Sequence, residues 1–188
     1  MPEEYRPSWR DRIRRYGRRE LLDRLRARVE PGGTRLLDVG GGTGVTTVVF
    51  GNAATELVVL EPARKKILRG QKAHAPVTFV EGVAEAIPYA EGRFDRVVSL
   101  MSFHHFSDGE KACREAYRVL APGGRFVVYD FDRGPPPARL VAFWVVRVRH
   151  RKMRLLSSAE LEEVVRSAGF RNVRREAFRG GAFVVGER

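Results

Sequence analysis

The chain has 188 residues, enough for one domain with a sizeable core, and 43% of them are hydrophobic, so neither disulfides nor a structural metal is needed to hold it together. A single cysteine, Cys113, and no Cys/His cluster exclude a disulfide framework and a cysteine-rich zinc site. The net charge of +12 is unevenly spread: residues 36–132 carry 11 basic and 12 acidic groups, whereas residues 133–154 carry 7 basic groups and no acid. An acid-free run of that length points to an anionic partner or surface, against the plainer reading that basic residues keep a protein in solution. No apolar run approaches the ~20 residues of a membrane span. Residues 1–28 hold no apolar core of a signal peptide. The expectation is a cytoplasmic protein, with peripheral attachment to a membrane as the variant.

In chain order, Ser8 to Val29 is an arginine-rich helical pattern whose apolar stripe is Ile13, Leu21, Leu22, Leu25 and Val29, ended by Pro31-Gly32-Gly33. A strand over Arg35–Val39 runs into glycines at 40, 41, 42 and 44, and a helix is predicted over Thr43–Asn52. Glu56–Leu60 is a continuous apolar strand of the kind buried on both faces, and Pro62 opens the next helix, to Ala73. Strands follow at Val77–Val80 and Phe94–Leu100. Ser107 and Glu110 read as a capping box for a helix to Leu120, stopped by Pro122-Gly123-Gly124 before a strand over Arg125–Phe131. Ser157 and Glu160 form a second capping box, for a helix ending at Gly169. Val173–Phe178 and Ala182–Val185 close the chain as a hairpin around Gly180-Gly181. Strands and helices alternate five times, which argues for a parallel α/β sheet with right-handed crossovers and a ligand at the carboxyl ends of its strands.

The glycine turn is the chemical centre of this pattern. Leu36-Leu37-Asp38-Val39-Gly40-Gly41-Gly42-Thr43-Gly44 places a carboxylate and a glycine-rich turn after a buried strand, where only glycine allows the sharp bend and a close ligand. A helix beginning there would aim its first N–H groups at that ligand. Glu61 follows Gly40 by 21 residues, at the end of the next strand, where a carboxylate accepts both ribose hydroxyls of a nucleoside. That fits NAD and S-adenosylmethionine equally.

The segments LLDVGGGTG, VVLEP, EGVAEAIPYAEGRFDRVVSL and RVLAPGGRFVVYDF together resemble the successive motifs of class I S-adenosylmethionine-dependent methyltransferases. The likeness is to the type 11 group that includes ubiquinone and menaquinone biosynthesis methyltransferases. It covers Leu36 to Asp132. It implies a Rossmann-like α/β fold, a seven-stranded mostly parallel sheet with a reversed last strand and helices on both faces. The chain would then be one domain, with an N-terminal arm (1–33), a cofactor core (34–132), an acceptor insertion (133–156) and a closing helix and hairpin (157–188).

The resemblance also implies roles. Gly40, Gly42 and Gly44 would flank the methionine and ribose parts of S-adenosylmethionine, and Asp38 would brace the loop and the amino group. Glu61 would hold the ribose and Pro62 would pack near the adenine. Gly82, Val83 and Ala84 would border the adenine ring, although the family commonly has aspartate where Val83 stands; Glu85 is the neighbouring substitute. Leu100 and Met101 would floor the sulfonium.

On the acceptor side, Phe103-His104-His105-Phe106 follows the fourth strand, and His104 and His105 are the candidate proton acceptors. No metal site is expected, since adjacent histidines on one turn point apart. In related enzymes an N-terminal arm closes over the cofactor, so Tyr5, Trp9 and Tyr16 are candidate covers, packing against the sheet being the plainer reading. Ala138–Val148, with Arg139, Arg147, Arg149 and Arg151 around its apolar residues, reads as a packed lid helix, a membrane-surface helix on anionic headgroups, or an RNA-binding element.

The resulting expectation is methyl transfer to a small apolar or anionic acceptor by direct displacement, releasing S-adenosylhomocysteine. Its alternatives are an RNA methyltransferase, a nicotinamide-dependent oxidoreductase and a non-enzymatic cofactor-binding module. Against the oxidoreductase, the third glycine of that fingerprint would fall at Val45, and Gly44 comes one residue early.

Overall fold

A computed structural model describes residues 9–74, 76–133 and 154–188, with side chains of the first helix described from residue 19. The elements are α1 (Trp9–Val29), β1 (Arg35–Val39), β2 (Glu56–Glu61), α2 (Arg64–Ala73), β3 (Val77–Glu81), β4 (Phe94–Leu100), α3 (Gly109–Val119), β5 (Leu120–Phe131), α4 (Ser158–Ser167), β6 (Arg171–Phe178) and β7 (Gly181–Glu187). They build a seven-stranded sheet in the order β3-β2-β1-β4-β5-β7-β6. β1 to β5 pair in parallel, and β7 runs antiparallel to both β5 and β6.

The continuous apolar runs are explained by burial on both faces. Leu37, Val39, Val58, Leu60, Val97 and Val128 point to the layer completed by Ala112 and Cys113 of α3 and Val165 of α4. Leu36, Leu57, Val59, Val98 and Val127 point the other way, to Leu25 and Val29 of α1 and to Phe50. Burial pushes the Cys113 thiol up to about 12, so it is a core group rather than a nucleophile. The C-terminal carbonyls of α1 are closed by arginines from the sheet: Arg96 donates to Val29 O (2.6 Å) and Arg125 to Arg28 O (2.9 Å).

Several local expectations are corrected. The predicted helix over Thr43–Asn52 is only a 3₁₀ turn, Thr47–Phe50. Its β-branched run is a poor helix former, and the Thr47 hydroxyl is spent on Asp38 at 2.6 Å. The glycine turn therefore runs into a 3₁₀ turn and not into the predicted α-helix. Helix α2 begins at Arg64 rather than Pro62, with Ala63 as its cap. The N-cap of α3 is Asp108, which accepts from Lys111 N at 2.9 Å, because Ser107 N and Oγ both donate to Glu85. Pro122-Gly123-Gly124 lies inside β5 at a register shift, its backbone tied to Arg188 at the chain end. The hairpin turns on Arg179-Gly180, both at positive φ, one residue earlier than predicted. The Ser157–Glu160 capping box is present with both of its bonds. Tyr5, residues 134–153 and the side chains of Trp9 and Tyr16 lie outside the described residues, and with them the whole Ala138–Val148 reading. Among the described residues no helix is long and apolar enough to cross a membrane.

Candidate functional site

The chain reverses direction across the sheet at β1, which lies between β2 and β4. A cleft opens there, as expected outside the carboxyl ends of such strands. It has a volume of about 310 Å³ and is lined by Gly40, Glu61, Pro62, Gly82, Val83, Ala84 and His105, all candidates from the sequence. Lys66, Glu85, Ser102, Phe106 and Ser107 complete the wall.

The glycines at the turn serve different ends. Gly40, Gly42 and Gly44 all have positive φ. A Cβ at Gly40 would lie 2.7 Å from Ser102 Cβ, and one at Gly44 would lie 2.9 Å from the Phe79 ring. Those two make room for protein. Only Gly42 faces open space, with Lys66 Cδ at 3.9 Å as the nearest atom. Ser102 locks the turn from below: its hydroxyl donates to Val39 O at 2.8 Å and pairs with Ser99 Oγ at 2.9 Å.

Two carboxylates flank this opening. Glu61, 2% exposed, accepts from Gly42 N and Ala63 N, each at 3.1 Å, and pairs with Lys66 Nζ at 3.2 Å. Asp38, 1% exposed, sits behind the turn; Thr47 holds Oδ2, while Oδ1 is buried with no partner among the described residues. Burial drives the Asp38 carboxyl up to about 7, with the Thr47 bond opposing and the nearby Glu61 adding to the rise. A buried acceptor without a donor beside an open glycine suits a ligand that brings N–H groups, such as the amino group of S-adenosylmethionine.

On the far wall, Glu85 is occupied. Its Oε1 accepts from Ser107 N (2.7 Å), Ser107 Oγ (2.8 Å) and Asp108 N (3.1 Å), tying the loop after β3 to the loop before α3. Burial works against its charge, yet these hydrogen bonds hold the carboxyl below the usual range. Glu85 thus acts as a strut across the cleft wall. Val83 is 45% exposed on that wall, whereas the Ala84 side chain turns into the core. Leu100 packs on the α1 face, and Met101, at φ 56°, is exposed just beyond β4. His104 is buried and only His105 reaches the cleft. Among the described residues no group of three or more His, Cys, Asp or Glu is arranged to hold a metal ion.

A family model described as a methyltransferase domain matches residues 8–175. The chain belongs to the class I S-adenosylmethionine-dependent methyltransferase family. The demethylmenaquinone methyltransferase of Thermus thermophilus is 40% identical over 121 residues, 61% of this chain and 53% of that protein. The ubiquinone/menaquinone biosynthesis C-methyltransferase UbiE of Klebsiella pneumoniae is 35% identical over 111 residues, 54% of this chain and 44% of that protein. The chain therefore spans about half the length of the curated relatives it matches. The crystal structure of YcgJ from Bacillus subtilis superposes with a TM-score of 0.77 over 85% of this chain and 71% of that one, at 24% identity, a likeness of fold. Within this methyltransferase fold, Ser102 and Lys66 had no signal in the sequence. Ser102 is a lone small polar residue past a strand end. Lys66 is five residues from Glu61 across a strand–helix boundary, a spacing with no fixed geometry.

The turn is also braced through α2. A Cβ at Gly70 would lie 2.3 Å from the Phe79 ring and 2.9 Å from Thr43 O, and the same ring backs Gly44. Gly70→Ala is expected to lower stability by about 1–2 kcal/mol, overpacking outweighing the ~1 kcal/mol gain in helix propensity. A thermal scan should show a melting temperature a few degrees lower; an increase would mean that the Phe79 contact is loose.

Proposed function

We propose that the chain is a single methyltransferase domain that moves a methyl group from S-adenosylmethionine to a small apolar acceptor of the quinone type. The observation that carries the cofactor assignment is the buried, unpartnered Asp38 Oδ1 behind the open face of Gly42, with Glu61 across the turn. The relatives from Thermus thermophilus and Klebsiella pneumoniae, both quinone-biosynthesis methyltransferases by name, support the acceptor class. When bound, the cofactor supplies an activated methyl group, so the protein's work is to orient, exclude water and take up a proton. Asp38 would receive the amino group and Glu61 the ribose hydroxyls, in place of its present Gly42 and Lys66 partners. Gly40 and Gly42 would border the methionine and ribose parts. Gly44 would act through the Phe79 packing, and Pro62, Gly82, Val83 and the Ala84 backbone would enclose the adenine. Leu100 and Met101 would lie toward the reacting end, with His105 on the acceptor side.

Calorimetric titration should show binding of S-adenosylmethionine and S-adenosylhomocysteine and none of NAD. The reverse pattern would reject the assignment. Release of S-adenosylhomocysteine on adding a reduced naphthoquinone that lacks a ring methyl tests the acceptor class. RNA or anionic vesicles stimulating that release, with the naphthoquinone inert, would reject it.

A further inference from the structure

With the ribose at Glu61, the base joined to it falls against the adjoining cleft wall, which carries Pro62, Gly82, Val83, Glu85, Phe106 and Ser107. The side chains of that wall divide into two sets. Pro62, Val83 and Phe106 are apolar; they offer contact to the faces of a ring and no hydrogen bond to its edge. Glu85 and Ser107 are polar but bonded to each other. Glu85 Oε1 accepts from Ser107 Oγ at 2.8 Å, from Ser107 N at 2.7 Å and from Asp108 N at 3.1 Å. The loop is seated firmly: a Cβ at Gly82 would lie 2.8 Å from Leu60 Cδ1, and Val83 O accepts from Ala86 N at 3.2 Å. Ala84 is buried in the core, which leaves Val83, 45% exposed, as the side chain this loop presents to the cleft beside Gly82. Reading a purine's 6-amino group takes an acceptor held beside it, and a carboxylate there is worth about 10- to 100-fold in affinity. Among the described residues of this wall, the exposed position holds a valine, and the carboxylate two residues on is committed to the strut. An apolar contact separates two ligands that differ by one polar group only weakly, because that group keeps its water.

We infer that Val83 leaves the 6-position of the base unread, so that the chain takes purine cofactors altered at that position as readily as the adenine form. This deepens the S-adenosylmethionine reading above and rests on it. Selectivity for the cofactor then comes from its sugar and its amino-acid end, where Glu61 and Asp38 supply buried carboxylates, while the base is held by the shape of an apolar slot. Val83 is the specificity-determining residue: a carboxylate in its place would meet the 6-amino group at the exposed edge of the wall, at no cost to the core.

Calorimetric titration of the full chain with two ligands tests this. One is S-adenosylhomocysteine; the other is its 6-deamino analogue, in which hydrogen replaces the amino group and every ring nitrogen is kept. The two carry the same charge, so the ratio of their Kd values isolates the amine. In the wild type the two Kd values should agree within about threefold. Val83→Asp should bind S-adenosylhomocysteine at least about tenfold tighter than the analogue. The long-range field of the introduced charge acts on both ligands alike and cancels in the ratio. Val83→Asn supplies a neutral acceptor and should give a ratio of about three to ten; it also covers the case in which a second carboxylate beside Glu85 loosens the loop. A wild-type ratio above threefold would overturn the inference, because an acceptor would already be reading the amine. A ratio that stays at the wild-type value in both variants would overturn it as well, because the base would not lie against Val83. A wild-type chain that binds neither ligand would instead overturn the S-adenosylmethionine reading itself.

Discussion

Replacing Glu61 by alanine is expected to weaken S-adenosylmethionine binding about 100-fold, with the fold intact. The carboxylate is almost fully buried at the end of β2, held between Gly42 N and Ala63 N and neutralised by Lys66. A nucleoside's two hydroxyls would each gain a charge-assisted hydrogen bond, worth about 1.5–3 kcal/mol apiece, and part of that is offset because the Gly42 and Lys66 contacts must loosen. A net loss near ~3 kcal/mol is about two powers of ten in Kd. Glu61→Gln keeps an acceptor and loses the charge, so its Kd should rise roughly tenfold. Calorimetric titration of both variants checks the order wild type, glutamine, alanine. An alanine variant that binds like wild type would show that the ribose lies elsewhere.

Asp38→Asn is expected to stabilise the empty protein at pH 8 while weakening its cofactor binding at least tenfold. The carboxyl is fully buried and its pKa stands at about 7, against 3.8 unperturbed, with burial as the main cause. The folded state therefore holds this proton more tightly than the unfolded chain does. Stability is highest below about pH 4 as far as this group is concerned, and falls as pH rises from there through about 7. The full penalty is of the order of 4 kcal/mol, from ~1.36 kcal/mol per pH unit. An asparagine carries no such charge, keeps an acceptor for Thr47, and should recover about 2 kcal/mol or more of it at pH 8 while matching wild type near pH 4. Ligand binding should show the opposite dependence. The amino group of S-adenosylmethionine favours ionised Asp38, so wild-type affinity should rise up to tenfold per pH unit below about 7 and level off above it. Urea denaturation and calorimetry across pH 5–8 read both effects. A wild-type Kd that is flat across this range would remove Asp38 from the amino-group site.

Much of the architecture was legible along the chain because its signals are local. The apolar run at Leu57–Leu60 reads as a strand buried on both faces, and the capping box at Ser157–Glu160 is a contact within four residues. Asp38 near the end of β1 and Glu61 at the end of β2 were readable for the same reason: a carboxylate at the carboxyl end of an apolar strand lands at the ligand edge of the sheet. Errors arose where a distant side chain claimed a local group. The Thr47 hydroxyl bonds to Asp38 where an α-helix over Thr43–Asn52 was expected. Glu85 takes Ser107, leaving Asp108 to cap α3.

By itself, then, the sequence determined that this is an α/β sheet with a glycine turn between two acids, since backbone sterics and two-sided burial are properties of short segments. Only the tertiary structure decided which glycine faces open space, that Asp38 lacks a partner on one oxygen among the described residues, and that His104 is buried while His105 lines the cleft. Each of these depends on residues from different elements, and their spacing in the chain does not constrain the distance between side chains brought together by strand order and register.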